Sequence, residues 1–129
     1  MTNKEVVRKF FLDGYVNLDF EALYDIMADD YLDHSPCHAT SSRECVDALK
    51  NTADGFSDME IEMRDMIEEN DKVAARICFS CIHRGGYGIP ETGRPVKFEA
   101  LETFRLENGR IVESWGYWPN TTIINQING

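Results

Sequence analysis

The spacing of apolar residues changes after Gly55, and this change constrains the possible folds more than any other feature of the sequence. Upstream, apolar residues recur at intervals of three and four, which is typical of the buried face of an α-helix. That face is clearest in Val6, Val7, Phe10, Phe11 and Tyr15. Downstream, Met59, Ile61 and Met63 alternate with charged residues, which is typical of a half-buried strand. Helices followed by strands predict an α+β domain with its helices on one face of a curved antiparallel sheet.

Capping residues predict three helices in the part of the chain that precedes Gly55. Thr2 with Glu5 and Ser41 with Glu44 have capping-box spacing, so they mark the starts of the first and third helices. The second helix is predicted to begin after the N-cap residue Asp19 and to run to Asp29–Asp30. The segment Tyr31–Pro36 is then predicted to be extended, because a residue before proline avoids helical geometry.

Alternating or continuous apolar patterns predict the strands downstream. They are expected around 59–63, at Lys72–His83, at Val96–Leu106 and at Ile111–Trp118. Asn108-Gly109 separates the last two strands and is a strong hairpin signal. We find no internal repeat, linker or low-complexity segment, so residues 1–129 are predicted to form one domain.

Charge limits the classes of partner. The chain has 23 acidic against 13 basic residues and a net charge of −10. Nucleic acids and anionic membrane surfaces are therefore not expected as partners, because both require clustered Lys and Arg. We see no apolar run of the ~18 residues that a membrane span needs. The start of the chain lacks the apolar run of a secretory signal, so a cytoplasmic location and four reduced cysteines are expected.

Two clusters resemble metal or redox motifs, and the sequence favours neither role. Cys78 and Cys81 lie three apart in a predicted strand, so their side chains should point to opposite faces. His34–His38 supplies two imidazoles and one thiol, but a structural zinc site usually has four closely paired ligands. We therefore expect no metal site.

The predicted C-terminal strands combine aromatic and ionisable side chains. A curved sheet closed by helices forms an apolar pocket in which a few polar groups orient a ligand. The alternative is that each aromatic residue is simply part of the core. The residues concerned are His83, Glu99, Glu102, Glu113, Trp115, Tyr117 and Trp118.

Several short motifs follow one another in a recognisable order along the chain. They are Ala28–His34, Asp71–Arg76, Ile82–Gly85, Gly88–Arg94, Phe104–Trp115 and Gln126. Their order resembles the SnoaL-like polyketide cyclase family of the nuclear transport factor 2-like superfamily. The resemblance covers nearly the whole chain and is most specific in the Gly-Ile-Pro-x-Thr-Gly loop and the last strand.

The resemblance implies a conical barrel, in which a strongly bent antiparallel sheet is wrapped by three N-terminal helices around a deep pocket. It also implies a homodimer formed through the sheet. In cyclase members of the family, the pocket binds a polycyclic ketide and a carboxylate shuttles a proton during an aldol ring closure, with no cofactor. For this chain it implies a small apolar carbonyl ligand and acid–base chemistry without a cofactor.

The sequence departs from the family pattern where the catalytic acid is expected. The family often has Glu-His-Trp with an Asp four residues after the Trp, but here Ser114 replaces the His and Pro119 replaces the Asp. His83 matches the histidine of the family's Thr-His-x-Gly segment. His83 and the neighbour of Pro119, Asn120, are therefore the predicted catalytic residues. The predicted substrate-binding residues are Tyr15, His34, Glu99, Trp115, Tyr117 and Trp118.

Other functions remain open at this level. The missing Asp favours a non-catalytic module that binds a small molecule in the pocket or a partner protein on the sheet. Limonene-epoxide-hydrolase-like or ketosteroid-isomerase-like chemistry would use other acids in the same fold. The candidate carboxylates are Asp33, Glu99, Glu102 and Glu113, and sequence alternation does not determine which of them point into the pocket.

Overall fold

A single mixed sheet organises the chain in the computed structural model, which describes residues 1–129. The strands are β1 (Met27–Asp33), β2 (Phe56–Glu69), β3 (Lys72–His83), β4 (Pro95–Glu107) and β5 (Arg110–Tyr117). The helices are α1 (Asn3–Phe11), α2 (Phe20–Leu23), α3 (Ser42–Gly55) and α4 (Asn120–Asn128). A π-helical turn follows α1 at Leu12–Val16. None of the helices is long and apolar enough to cross a membrane.

The sheet is curled and has the strand order β1-β5-β4-β3-β2. Neighbouring strands are antiparallel, except that β1 runs parallel to β5. Alternate residues of β4 are buried, so one face of the sheet is the inner face that packs against the helices. The opposite, outer face exposes residues such as Leu101. The predicted fold class, an α+β barrel with a bent sheet and packed helices, is confirmed.

The predicted capping residues of the first and third helices and the predicted hairpin are confirmed. The side chain of Thr2 accepts from the backbone N–H of Glu5 at 3.2 Å, and that of Ser41 accepts from the N–H of Glu44 at 3.1 Å. Each bond satisfies an N–H that has no partner inside its helix. The hairpin residues Asn108 and Gly109 have φ of 51° and 76°, as a type I′ turn requires.

The predicted second helix is wrong in its length. It ends at Leu23, and the Asp19 side chain makes no capping hydrogen bond. Met27–Asp33 forms β1 instead, where Met27 and Tyr31 are buried. Pairing with β5 satisfies the backbone of this segment while it buries both side chains, so tertiary pairing overrides the helical spacing.

The sequence analysis did not predict α4. Pro119 ends the extended chain at the N-cap, and Ile123 and Ile127, four residues apart, are fully buried against the core. Gln126 reaches β4, where its side-chain amide makes two hydrogen bonds to the backbone of Lys97. It accepts from the Lys97 N–H and donates to the Lys97 carbonyl, both at 2.7 Å. The fourth helix is thus attached to the sheet, and its first residue, Asn120, lines the cavity described next.

Candidate functional site

A cavity of about 240 Å³ lies between the inner face of the sheet and the helices. Its wall is built from α1, the π-helical turn, α3 and the inner residues of β1, β4 and β5. Half of the 16 lining residues are hydrophobic. The side chains that matter for its chemistry are those of Tyr15, Tyr31, Asp33, Glu102, Trp118 and Asn120.

Glu102 is the one charged residue in the inner row of β4. The other members of this row are apolar and buried, namely Val96, Phe98, Ala100, Phe104 and Leu106. Its carboxylate lies over Gly116, its partner on β5, where a Cβ atom would come within 2.7 Å of Oε1. Glycine at position 116 therefore leaves the space that the carboxylate occupies.

The Glu102 carboxyl is poised to exchange a proton near neutral pH. Its Oε2 is buried and has no hydrogen-bond partner. Burial raises the pKa of Glu102 from 4.5 to about 7, the neighbouring Trp118 side chain opposes the rise, and the charge of Asp33 adds to it. A carboxyl that titrates near the working pH is suited to both accepting and returning a proton.

Asp33 and Tyr31 supply further polar groups from β1. Asp33 is half-buried and its Oδ1 accepts from the backbone N–H of Ser35 at 2.8 Å. The Tyr31 hydroxyl is hydrogen-bonded to the Ser114 hydroxyl. Burial raises the pKa of the Tyr31 phenol, so the group stays protonated. No Lys or Arg lines the cavity, so it favours uncharged or cationic ligands.

Tyr15 and Trp118 line the cavity beside Glu102 and belong to a cluster of aromatic rings. The Tyr15 ring lies 5.2 Å from Phe79 and 5.9 Å from Trp118, and Trp118 lies 4.8 Å from Phe98. Burial, with a smaller contribution from the charge of Glu102, raises the pKa of the Tyr15 phenol well above its usual value. Tyr15 is therefore a neutral hydrogen-bond donor close to the buried carboxylate.

His83 does not line the cavity, and its ring is fully buried against the loop that joins β3 to β4, residues 84–94. Its Nε2 lies 2.8 Å from the carbonyl oxygen of Gly86, so Nε2 must donate. Its Nδ1 accepts from the backbone N–H of Thr92 at 3.3 Å and lies 3.0 Å from the Thr92 hydroxyl. Both ring nitrogens are thus used to hold the loop, and the placement supports a structural role.

Four of the predicted substrate-binding residues also lie away from the cavity, on or beside the outer face. His34 stacks on Trp115 at 4.8 Å and contacts Glu113 Oε2 through Nε2 at 2.6 Å. Hydrogen bonds from Arg105 and then from His34 lower the pKa of Glu113. Glu99 is exposed and pairs with Arg76 at 3.2 Å, and Tyr117 is 62% exposed.

The structure brings together the remaining predicted residues, Tyr15, Trp118 and Asn120, with two of the four candidate carboxylates. Asn120 begins α4 at the cavity, where its Oδ1 accepts from the Tyr87 hydroxyl at 2.6 Å. Its amide nitrogen remains a potential donor toward a ligand. Tyr31 and Ser114 were not among the predicted site residues. The signal for Glu102 was present, because it is the one acid in phase with five apolar residues of β4.

A bent sheet covered by helices, with a buried acid in the cavity between them, defines a class of small pocket proteins built on a conical α+β barrel. The chain matches the SnoaL-like polyketide cyclase family over residues 5–127, and it belongs to that family. No curated protein shows significant similarity to it.

Solved structures share the fold along the whole chain. IdmH from Streptomyces antibioticus, a candidate polyketide cyclase, is 25% identical with a TM-score of 0.88, covering 100% of both chains. TsrD from Streptomyces laurentii is 23% identical with a TM-score of 0.87, covering 97% of this chain and 94% of TsrD. AclR from Streptomyces galilaeus, a candidate hydroxylase, is 22% identical with a TM-score of 0.85, covering 98% of this chain and 80% of AclR.

Proposed function

We propose that this protein is a cyclase or isomerase that acts on an uncharged, mostly apolar carbonyl compound, with Glu102 as the acid–base group. The observation that carries the proposal is the Glu102 carboxyl, which is buried in the cavity with one oxygen unpartnered and a pKa of about 7. The Asp of the family pattern is absent at position 119, so Glu102 offers a different source for the same proton transfer.

The proposed step uses side chains of this chain alone. The Glu102 carboxylate takes a proton from the carbon next to the carbonyl and becomes neutral. The C–H electron pair forms the C=C bond of the enolate, and the π pair of the carbonyl moves onto its oxygen. The Tyr15 phenol, held neutral, donates a hydrogen bond to the enolate oxygen. In a cyclase, the enolate carbon then attacks a second carbonyl, and Glu102 gives its proton to the oxygen of that carbonyl. In an isomerase, Glu102 gives the proton to a different carbon of a conjugated enolate.

Replacing Glu102 with Gln is expected to lower the rate of α-hydrogen exchange at least about a hundredfold, because general acid–base groups typically contribute 10²–10⁴. The probe is 4-methylcyclohexanone in D₂O, followed by NMR of the hydrogens next to the carbonyl. The wild-type rate should rise as the pH passes through about 7 and the carboxyl ionises.

The matched control is Glu60→Gln, which makes the same change at an exposed carboxylate of β2 and should leave the rate unchanged. An equal rate in wild type and Glu102→Gln would overturn the proposal. If the probe binds to wild type without any catalysed exchange, the protein is a binding module that uses the same cavity without chemistry.

We also propose that the outer face forms a homodimer. Leu101 and Tyr117 lie opposite each other on β4 and β5, and each is 62% exposed. Adjacent large apolar side chains at this exposure often mark an interface.

Light scattering of wild type at micromolar concentration is expected to give twice the 14.8 kDa chain mass. Leu101→Glu should give the monomer mass, because it places a charge in the apolar contact. Asn51→Glu on the exposed side of α3 adds the same charge away from the sheet and should remain dimeric. A wild-type mass of one chain would exclude the dimer.

A further inference from the structure

A second cavity of about 280 Å³ lies on the other side of Tyr15. It is formed where the π-helical turn, the end of α3 and the start of β2 meet. Its apolar lining includes Val16, Leu18, Ala53, Phe56 and Met59. Of the two residues given a role in the proposed reaction, Glu102 and Tyr15, only Tyr15 lines this second cavity.

The Thr52, Ser57 and Asp58 side chains of the second cavity already have hydrogen-bond partners, and the Thr52 hydroxyl donates to the Ala48 carbonyl at 3.2 Å. The Ser57 hydroxyl donates to Asp58 Oδ2 at 3.0 Å and accepts from Arg84 Nε at 2.9 Å. Asp58 itself is exposed. The groups left to face a ligand are therefore mainly hydrocarbon, so the cavity suits an apolar group without hydrogen-bonding atoms.

Tyr15 and Thr52 line both cavities, and they are the two residues that the cavities share. Tyr15 sits in a π-helical turn, a feature found often at functional sites. Each cavity alone is smaller than the roughly 300–1,000 Å³ of typical ligand pockets, whereas the two together fall within that range.

We propose that the second cavity binds the apolar extension of the same ligand whose carbonyl end lies at Glu102. The ligand class is a carbonyl-bearing ring with a hydrocarbon side chain that passes between Tyr15 and Thr52. This inference rests on the proposed function, since it takes the Glu102 cavity as the place where the ring reacts. Remote apolar contacts of this kind hold the reacting end in position.

The test compares 4-methylcyclohexanone with 4-pentylcyclohexanone, with dissociation constants measured by isothermal titration calorimetry. The pentyl compound is expected to bind wild type at least about tenfold more tightly, because each buried methylene strengthens binding severalfold. Ala53→Phe should fill the second cavity and abolish this gain while the affinity for the methyl compound stays unchanged.

The matched control lies on the same helix. Ala48 lines the first cavity and is half-buried like Ala53, so Ala48→Phe should weaken both compounds. Val16→Phe fills the second cavity from the π-helical turn and serves if Ala53→Phe does not fold. Circular dichroism and the melting temperature check folding.

Two results would overturn the inference while the proposed function stands: α-hydrogen exchange that depends on Glu102 with no preference for the pentyl compound, or a preference that both cavity-filling variants retain. A third result would contradict the proposed enzyme instead. If the cavity-filling variants remove the preference for the pentyl compound but wild type catalyses no α-hydrogen exchange, the protein binds a ligand across both cavities without chemistry. If neither compound binds, both proposals fail.

Discussion

The free energy of unfolding is expected to fall by about 3 kcal/mol between pH 4.5 and 7 through Glu102 alone. Folding raises the pKa of this carboxyl, so between these limits the folded protein binds more protons than the unfolded chain. The contribution of Glu102 to stability is therefore complete below pH 4.5 and is lost as the pH rises through about 7. Above that pH the folded protein holds an ionised carboxylate without a partner for Oε2.

Urea unfolding of wild type and Glu102→Gln at a series of pH values measures this term. Glutamine keeps the shape of the side chain and cannot titrate, so the difference between the two curves reports Glu102 alone. Carboxyls whose pKa is lowered on folding, such as Glu113, have the opposite pH dependence and contribute equally to both curves. As the pH rises, the free energy of unfolding of wild type should fall relative to that of Glu102→Gln. Two parallel curves would show that folding leaves the pKa of Glu102 unchanged.

Replacing His83 with Ala is expected to destabilise the protein by about 2–4 kcal/mol, since it removes two hydrogen bonds and leaves a cavity. The Gly86 carbonyl and the Thr92 N–H would lose their partner, and the Phe56 ring would lose the imidazole at 5.7 Å. Exchange per folded molecule should persist, because His83 lies outside the cavity. Chemical denaturation and the exchange assay measure the two effects separately.

The comparison variant is His38→Asn, which removes an exposed imidazole at a position of positive φ that asparagine tolerates. It should change stability little. The opposite pattern for His83→Ala, unchanged stability with loss of exchange, is what the sequence-based prediction of His83 as a catalytic residue implies. That result would contradict the structural role that its hydrogen bonds indicate.

Local signals predicted much of the fold. Thr2 and Ser41 cap their helices, Lys72–His83 is a strand, and Asn108-Gly109 forms the hairpin turn. Each of these features depends on residues close together in sequence, whose preferred backbone geometry holds in any surrounding structure. The inner position of Glu102 was not predicted in this way, because alternation alone did not distinguish it from Asp33, Glu99 and Glu113.

Only the tertiary structure decided the features that depend on distant partners. The parallel pairing of β1 with β5 ended the second helix early, and burial of Ile123 and Ile127 formed α4. Glu102 acquires its raised pKa from burial in a cavity built from distant parts of the chain. His83 has the family's residue type, yet its role depends on Gly86 and Thr92, which occupy its nitrogens. Desolvation and hydrogen bonding act between atoms that folding brings together. Motif and spacing could therefore name candidate residues, but could neither place all of them in the site nor assign their chemistry.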